Sequence, residues 1–434
     1  MDVSTKQQRI AQLAKRHAGD GLTTLHHHLD LEWLRVAYTR VRKDGASGVD
    51  GETWASYGEQ LEANLADLLK RIKTGSYRAP PVRRVHIPKG TGAETRPIGI
   101  PTLEDKVLQR AVVMLLEPIL EGEFHDHSFG FRPGRSAHQA LNTLWESSMR
   151  LGIRWIIDAD IRKYFDTIDH GKLREMLRQR VRDAVVLRLV GKWLKAGVLE
   201  EGAWKRTEAG TPQGGVISPL LANLYLHEVL DEWLVHQASP RLRGRWFIVR
   251  FADDYVIGFQ QRRDAERVLA VLPKRFARYG LTLHPEKTRL VPFGRPPGRC
   301  EAHPGTFDFL GFTHYWGRSR KGRWVIMRKT AKDRFSRSLK QLSVWCQRYR
   351  HWPLRRQHAA LSRKLRGHYA YYGITGNARS LRRYRTAAAR LWWKWLNRRD
   401  RGRRLPWERF STILRDVLPL PSTRIIHSVY AAKP

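Results

Sequence analysis

Apolar residues recur at helical spacing over the first part of the chain. In LEWLRVAYTRVRK and YGEQLEANLADLLKRIKTG they return every three or four positions, and the turn-rich segment DGASGVDG separates the two runs. Helical spacing returns in LEDKVLQRAVVMLLEPIL. Between these runs, from Tyr77 to about Ile100, PPVRRVHIPK and ETRPIGIP flank a Lys-Gly-Thr-Gly turn. The pattern predicts mostly helix in residues 1–75, then a basic β-hairpin, then a further helix.

Two later segments are rich in β-branched and aromatic residues. RWIIDADI at 154–161 predicts a short buried strand, and DTIDHGKLREMLRQR after it predicts a helix with candidate N-cap aspartates. RWFIVRFADDYVIGFQ at 245–260 predicts two strands with Ala-Asp-Asp at the turn between them. Asp160 would therefore end one strand, and Asp253 and Asp254 would occupy the tip of a hairpin.

These aspartates are candidates for metal binding. Phosphoryl transfer to a 3′-hydroxyl requires stabilisation of the attacking and leaving oxygens, which two Mg²⁺ ions about 3.5–4 Å apart supply. Mg²⁺ prefers oxygen ligands, so a few aspartates at strand ends suffice. An isolated Asp-Asp pair is most often an ordinary polar turn, but here core strands flank it. Asp158 is interpreted as structural, and Asp166 or Asp169 as a helix cap.

Charge points to a polyanionic partner. The 434 residues carry 80 Lys and Arg against 41 Asp and Glu, a formal net charge of +39, which suits nucleic acid. Residues 331–434 contain 26 basic and 4 acidic residues, more than half of this excess, in a helical pattern. The 41% hydrophobic content can form a core, whereas two cysteines are too few for a disulfide framework. No apolar run approaches the ~20 residues of a membrane span, so a cytoplasmic protein without a membrane partner is expected.

Seven blocks of the sequence carry a resemblance to a known family. The blocks are RPIGIP (96–101), SFGFRPGRSAHQAL (128–141), DADIRKYFDTIDH (158–170), GTPQGGVISPLLANLYL (210–226), FADD (251–254), GLTLHPEKT (280–288) and FLGF (309–312). In these blocks the chain resembles group II intron-encoded reverse transcriptases, which join a polymerase to a maturase. The likeness extends from about residue 30 to the C-terminus.

The resemblance implies an α+β, right-hand polymerase fold. Fingers and a palm with an antiparallel sheet are expected in residues 76–330, after an N-terminal helical extension in residues 1–75. A helical thumb and maturase domain, called domain X in the family, is expected in residues 331–434. Many relatives continue into an endonuclease with Cys and His metal ligands, and this chain is expected to lack that domain.

The resemblance also assigns roles to individual residues. It implies that Asp160, Asp253 and Asp254 are the catalytic residues and hold two Mg²⁺ ions, with Mn²⁺ able to substitute. Nucleotide-binding residues would be Phe165, which selects deoxynucleotides by blocking a ribose 2′-hydroxyl, together with Lys89, Arg96, Gln213 and Gly214. Arg132 and Lys287 are open between contacts to template or primer and a surface or helix-stabilising role.

The C-terminal segment resembles the maturase region in RLWWKWLNRRDRGRRLPWERF. Most of its tryptophans are assigned to packing, and intron RNA contact is assigned to Arg398, Arg399, Arg401, Arg403 and Arg404. The expected partners are group II intron RNA, an RNA template with a DNA primer, target DNA and deoxynucleoside triphosphates, in the bacterial cytosol or nucleoid.

Three alternatives remain at this stage. The chain could be a splicing cofactor with a vestigial polymerase, although the intact FADD block argues against decay. It could be a domesticated reverse transcriptase used in phage defence or DNA repair, with the same chemistry and no intron. A ribosome-bound structural protein is the third, and it would have no use for an acidic cluster.

Overall fold

The computed structural model of the protein describes most of the chain. The described residues are 2–17, 19–88, 95–200, 203–205, 210, 214–296, 304–319, 321–399 and 405–429.

Groups of helices and groups of strands follow one another along the chain. The α-helices are α1 (Val3–Arg16), α2 (Leu31–Thr39), α3 (Trp54–Glu59), α4 (Leu61–Lys73), α5 (Leu103–Leu120), α6 (Ala137–Arg150), α7 (Tyr164–Thr167), α8 (His170–Arg178), α9 (Ala184–Leu194), α10 (Ser218–Leu226), α11 (Arg262–Ala277), α12 (Lys332–Arg348), α13 (Leu354–Tyr372), α14 (Ala378–Leu396) and α15 (Trp407–Thr412). The strands are β1 (Val82–Pro88), β2 (Thr95–Ile100), β3 (Trp155–Ala159), β4 (Val198–Glu200), β5 (Ala203–Lys205), β6 (Trp246–Phe251), β7 (Asp254–Phe259), β8 (Arg289–Pro292), β9 (Phe307–Phe309), β10 (Phe312–Arg318) and β11 (Trp324–Thr330). The fold is therefore mixed, with helices and small sheets.

The central sheet has the strand order β6-β7-β3-β8 and is antiparallel throughout. Alternate residues of its strands enter two different cores, because successive side chains of a strand point to opposite faces. Ile157 and Tyr255 pack with the helices of the first half of the chain. Ile156 and Val256 pack with α6 and with strands β9 to β11. Both faces of the sheet are covered, which accounts for its nearly continuous apolar strands.

Two smaller sheets flank the central one. The order β2-β1-β4-β5 places the predicted basic hairpin at one edge, and β1 and β2 pair with Ile87 opposite Arg96. Strands β9, β10 and β11 form an antiparallel meander that sequence patterning did not predict. The hairpin of the sequence analysis is thus confirmed, although its turn lies outside the described residues.

The segment predicted to be helical after β3 is confirmed as helical, but it is not one continuous helix. It divides into α7 and α8, because Ile168 between them has an extended backbone with ψ 121°. The side chain of Asp169 then accepts a hydrogen bond from the backbone N–H of Lys172 and begins α8. Asp169, rather than Asp166, is the helix cap.

The C-terminal helices α12 to α15 have a core of their own. Leu361, Leu365 and Trp392 are fully buried in it. The indole N–H of Trp392 donates to Gln357 Oε1 at 2.8 Å, so this tryptophan is satisfied within the core. The assignment of Trp392 to packing is confirmed. Within the described part of the chain no helix is long and apolar enough to cross a membrane.

A buried carboxylate lies in the first turn of α5. Asp105 is 2% exposed and accepts a hydrogen bond from the Tyr77 hydroxyl, which in turn accepts one from the indole N–H of Trp193 at 3.0 Å. Burial raises the pKa of Asp105 to about 7, although the hydrogen bonds oppose this shift. The folded state therefore binds this proton more tightly than the unfolded chain does.

We expect this carboxylate to make stability depend on pH. Because the pKa is higher in the folded state, the free energy of unfolding should fall as pH rises from 5 to 7, by roughly 2 kcal/mol. Asp105→Asn, which keeps an acceptor for Tyr77, should remove most of this fall. Urea denaturation at both pH values measures it, with exposed Asp67→Asn as the control. Parallel pH profiles for wild type and Asp105→Asn would contradict the assignment.

Candidate active site

Strand register brings the three candidate aspartates to one edge of the central sheet. Strands β3 and β7 pair with Ala159 opposite Tyr255, so the next residues along each strand, Asp160 and Asp254, end the ladder side by side. Strands β6 and β7 pair with Phe251 opposite Asp254, which leaves Ala252 and Asp253 as the turn. The predicted hairpin tip is confirmed, and the neighbouring strand end adds Asp160 to it.

The turn itself is held in an unusual backbone conformation. Ala252 has φ 58°, in the left-handed region that L-residues seldom adopt. Gly130 packs against it so closely that a Cβ at position 130 would lie 2.2 Å from the Ala252 nitrogen. A side chain at position 130 would therefore displace the turn that carries Asp253.

A buried ion pair holds the turn from beneath. Arg250 and Asp231 are both fully buried, and Arg250 Nη2 donates to Asp231 Oδ2 at 2.6 Å. Arg250 Nη1 also donates to Asn223 Oδ1 at 3.0 Å and to the Ala252 carbonyl at 3.2 Å. The pair lowers the pKa of Asp231 against the opposing effect of burial. Sequence reasoning missed these residues, although one arginine within the apolar run WFIVRF was a signal for a buried partner.

Two cations neutralise aspartates of β3 and its end. Lys287 Nζ lies 2.6 Å from Asp160 Oδ2, and Arg289 Nη2 lies 2.9 Å from Asp158 Oδ2. The pairing of Asp158 agrees with its interpretation as a structural group. Lys287 therefore lies in the acidic site, a pairing with Asp160 that the sequence did not predict.

The carboxylates crowd one another at the turn. The dense protein around the cleft, followed by the negative charges of Asp253 and Asp158, raises the pKa of Asp254 to about 7. Burial and the charge of Asp160 also raise the pKa of Asp253. A bound cation would relieve the part of these pKa shifts that comes from repulsion between the carboxylates. An oxygen-only set of this kind suits a divalent ion such as Mg²⁺ or Mn²⁺.

The basic hairpin lies within electrostatic reach of this site. Arg96 on β2 is exposed, and its charge opposes the rise in the pKa of Asp253. Gly214 has φ +120°, and a Cβ there would lie 2.5 Å from the Gly99 carbonyl of β2. Gly214, in the GTPQGG block, therefore packs closely against β2, the strand that carries Arg96. Lys89 and Gln213 lie outside the described residues.

Phe165 lies in α7, one short turn beyond Asp160. Its ring is partly buried and contacts the ring of Tyr164 at a centroid distance of 5.4 Å. Gly210 packs against the backbone here, since a Cβ at position 210 would lie 2.8 Å from the Phe165 carbonyl oxygen. Phe165 is thus supported by the beginning of the GTPQGG block.

Arg132 has a structural role. It is 7% exposed, and its guanidinium donates to Glu121 at 2.7 Å and to the carbonyls of His125 and Ser128 at 2.6 and 2.8 Å. Through these hydrogen bonds the Arg132 guanidinium holds the loop after α5 in place. Arg132 is therefore buried and holds a loop, which is neither the surface role nor the helix-stabilising role that the sequence left open for it.

The predicted RNA-binding arginines are only partly described. Arg398 and Arg399 are exposed just beyond α14. The guanidinium of Arg398 lies 5.1 Å from the Trp395 ring centroid, and Arg399 Nη2 donates to the carbonyls of His351 and Trp352 at 3.3 Å. Arg401, Arg403 and Arg404 lie outside the described residues.

Carboxylates at the edge of an antiparallel sheet, within reach of a basic hairpin, are typical of metal-dependent nucleotidyl-transfer enzymes. Comparison with known proteins identifies the family. The family model described as reverse transcriptase (RNA-dependent DNA polymerase) matches residues 87–314, more than half of the chain. The chain belongs to this reverse transcriptase family.

Three relatives illustrate the similarity. Protein YkfC of Escherichia coli strain K12 is 40% identical over 259 residues, which cover 57% of this chain and 67% of YkfC. The group II intron-encoded protein LtrA of Lactococcus lactis subsp. cremoris is 39% identical over 234 residues, 52% of this chain and 38% of LtrA. Nuclear intron maturase 2, mitochondrial, of Arabidopsis thaliana is 30% identical over 171 residues, 30% of this chain and 23% of the relative. The matched region thus spans two thirds of YkfC and well under half of the other two.

We expect the Arg250–Asp231 pair to dominate the stability of the turn. Asp231→Ala would leave a buried guanidinium without its counter-charge and should lower the free energy of unfolding by about 3–5 kcal/mol. Urea denaturation followed by tryptophan fluorescence measures the change. The control is Glu266→Ala, which breaks the exposed Arg262–Glu266 pair and should cost less than about 1 kcal/mol. Equal losses in the two variants would refute the central role of the buried pair.

Proposed function

We propose that the protein extends a DNA primer on an RNA template and also binds a group II intron RNA to assist its splicing and mobility. The observation that carries the polymerase part is the meeting of Asp160, Asp253 and Asp254 at one sheet edge inside the family-matched region. The relatives' names, among them an intron-encoded protein and an intron maturase, support the second part.

The architecture supports a right-hand arrangement. The central sheet with its helices would be the palm, and the sheet β2-β1-β4-β5 would belong to the fingers, both within residues 76–330. Helices α12 to α15, with their separate core, would form the thumb and maturase domain of residues 331–434. Residues 1–75 would be the N-terminal extension, whose helices α1 and α2 pack on α5.

Two Mg²⁺ ions are the proposed cofactors, with Mn²⁺ as a substitute. Asp160, Asp253 and Asp254 would hold them, and the bound ions would stabilise negative charge on the attacking and leaving oxygens. The raised pKa values of Asp253 and Asp254 support this, because crowded carboxylates gain most from a cation. Lys287, which now neutralises Asp160, would then be free to contact a phosphate.

The incoming deoxynucleotide would lie between the acidic edge and the hairpin. Arg96 and Lys89 would hold its triphosphate, since a guanidinium forks onto phosphate oxygens and an ammonium acts as a point charge. Gly214 and Gln213 would lie against the base pair, where the lack of a side chain at Gly214 allows close approach. Phe165 would exclude a ribose 2′-hydroxyl.

The first test is primer extension on an RNA template with Mg²⁺ and deoxynucleotides. Asp253→Ala should lower the rate by at least about 100-fold, because a lost metal ligand removes several kcal/mol of transition-state stabilisation. RNA binding, measured by filter retention, should change little. The exposed Asp20→Ala is the control and should behave as wild type. Efficient synthesis by Asp253→Ala would contradict the site assignment.

Phe165→Ala tests the sugar selection. A smaller side chain should admit the 2′-hydroxyl and raise the ratio of kcat/KM for a ribonucleotide to that for its deoxynucleotide, by at least about tenfold if one steric contact is lost. Single-nucleotide incorporation with each substrate gives this ratio. A general loss of activity would lower both kcat/KM values by the same factor and leave the ratio unchanged. An unchanged ratio would leave Phe165 as a packing residue only.

A basic groove on the C-terminal helices is the proposed site for intron RNA. Six cations of α12 and α14 line it, namely Lys340, Arg379, Arg382, Arg383, Arg390 and Lys394, with Trp393 and Trp407 also contributing. Its cavity volume is about 1160 Å³. Cations interleaved with aromatic rings offer phosphate contacts and stacking surfaces. Arg398 and Arg399 lie just beyond the end of α14 and would extend this surface, together with Arg401, Arg403 and Arg404.

Salt dependence measures how many phosphates this groove contacts. The double variant Arg382→Ala, Arg390→Ala should weaken binding to group II intron RNA and lower the slope of log K against log salt by about one per lost contact. The matched control is Arg263→Ala, Arg267→Ala on α11, outside the groove. If both double variants bind RNA as wild type does, the groove is not the RNA site. If wild type binds unrelated RNA equally well, the domesticated, intron-free alternative is favoured.

A further inference from the structure

A cluster of histidines and carboxylates lies apart from the catalytic aspartates. His125 belongs to the loop after α5, whereas Glu232 and His236 lie four residues apart on the π-helical turns that continue α10. One ligand atom from each of these three residues lies within 4.8 Å of the others. His125 Nε2 is 2.7 Å from Glu232 Oε1, and His236 Nε2 is 3.5 Å from Glu232 Oε2.

The surroundings hold these side chains in place. The carbonyl of His125 accepts from the buried Arg132 at 2.6 Å, and its ring stacks on His127 with centroids 5.0 Å apart. His227 is 2% exposed, and its Nε2 lies 3.6 Å from Glu232 Oε1. Its Nδ1 is buried without a hydrogen-bond partner in the described structure. The buried imidazole of His227 thus lies beside Glu232, with its Nδ1 on the side of Asp231, 3.9 Å from Asp231 Oδ2.

We propose that His125, Glu232 and His236 bind one divalent transition-metal ion of the zinc class. Two imidazole nitrogens and one carboxylate oxygen are a donor set that Zn²⁺ accepts, with a water available for the fourth position. Bonds of about 2 Å place the ligand atoms of a tetrahedral ion roughly 3–3.5 Å apart. The two imidazole–carboxylate separations here are 2.7 and 3.5 Å, and all three ligand atoms lie within 4.8 Å of one another. Mg²⁺ prefers oxygen ligands and would not compete well at this site.

The same molecule contains a His–Glu contact of the ordinary kind, which serves for comparison. His86 Nε2 and Glu200 Oε1 are also 2.7 Å apart, on the fingers-like sheet. Among the described residues, however, only the cluster around Glu232 brings a third potential ligand within 4.8 Å. The His86–Glu200 pair therefore serves as an internal comparison for a contact that needs no metal.

The expected role of the ion is to join two segments that support the palm. The loop that carries His125 also pairs with β6, since Phe129 N donates to the Arg250 carbonyl at 2.9 Å. Glu232 directly follows Asp231, the buried partner of Arg250. A bound ion would therefore tie the loop to the helix beneath the acidic turn. The site shares no residue with Asp160, Asp253 and Asp254, so the inference stands whether or not the proposed polymerase function is correct.

The test is a Zn²⁺ titration of the full chain without an affinity tag, after chelator treatment. Excess Mg²⁺ is present to occupy sites made of oxygen ligands only. A chromophoric chelator competes for Zn²⁺ and reports its affinity. We expect one tight equivalent in wild type and at least about a tenfold loss of affinity in His236→Ala and in Glu232→Gln. His351→Ala, an exposed histidine elsewhere, and His86→Ala should bind as wild type.

Thermal denaturation supplies the second readout. Zn²⁺ should raise the Tm of wild type and of His351→Ala, but not that of His236→Ala. His236 is 63% exposed, so its replacement should leave the metal-free Tm unchanged. Failure of wild type to bind one equivalent would overturn the proposal. So would equal affinities of wild type and His236→Ala, or equal losses in His236→Ala and His351→Ala, which would indicate diffuse binding to surface histidines.

Discussion

The active edge of this protein depends on one buried ion pair. Arg250 lies within an apolar strand and reaches Asp231, Asn223 and the Ala252 carbonyl, so it links α10 and its continuation to the turn that carries Asp253. Neither charge is accessible to water, and each would be costly to bury alone. The pair therefore disfavours any arrangement that separates the helix from the hairpin, and its contacts position the acidic turn.

Around this pair, the molecule separates its charges in a way that suits nucleic acid chemistry. Burial and the negative charges of neighbouring carboxylates at the sheet edge raise the pKa values of Asp253 and Asp254. Cations lie on the hairpin beside that edge, at Arg96, and along the groove of α12 and α14. A small acidic centre within a strongly basic protein would attract metal ions to one place and phosphates to the others.

The loop after α5 connects several of these features. Arg132 holds it through backbone carbonyls, Gly130 packs against Ala252, and His125 points toward Glu232. The first contact is internal to the loop, whereas the other two join the loop to the acidic turn and to the helix that continues α10. This explains why a motif that resembles a nucleic-acid contact in sequence, GFRPGRS, uses its first arginine inside the protein instead.

Local patterns were sufficient to predict the hairpin β1–β2, the strands β3, β6 and β7, helix α5 and the turn that holds Asp253. Runs of β-branched and aromatic residues, helical spacing and turn residues are properties of short segments, so the sequence by itself determines them. The pairing of β3 with β7, which sets Asp160 beside Asp254, was decided only by the tertiary structure, as were the meander β9 to β11 and the break between α7 and α8. The same is true of the partners of Arg132, Arg250 and Lys287, and of the histidine cluster that unites residue 125 with residues 232 and 236. These features depend on which distant surfaces are buried together, and no short stretch of sequence contains that information.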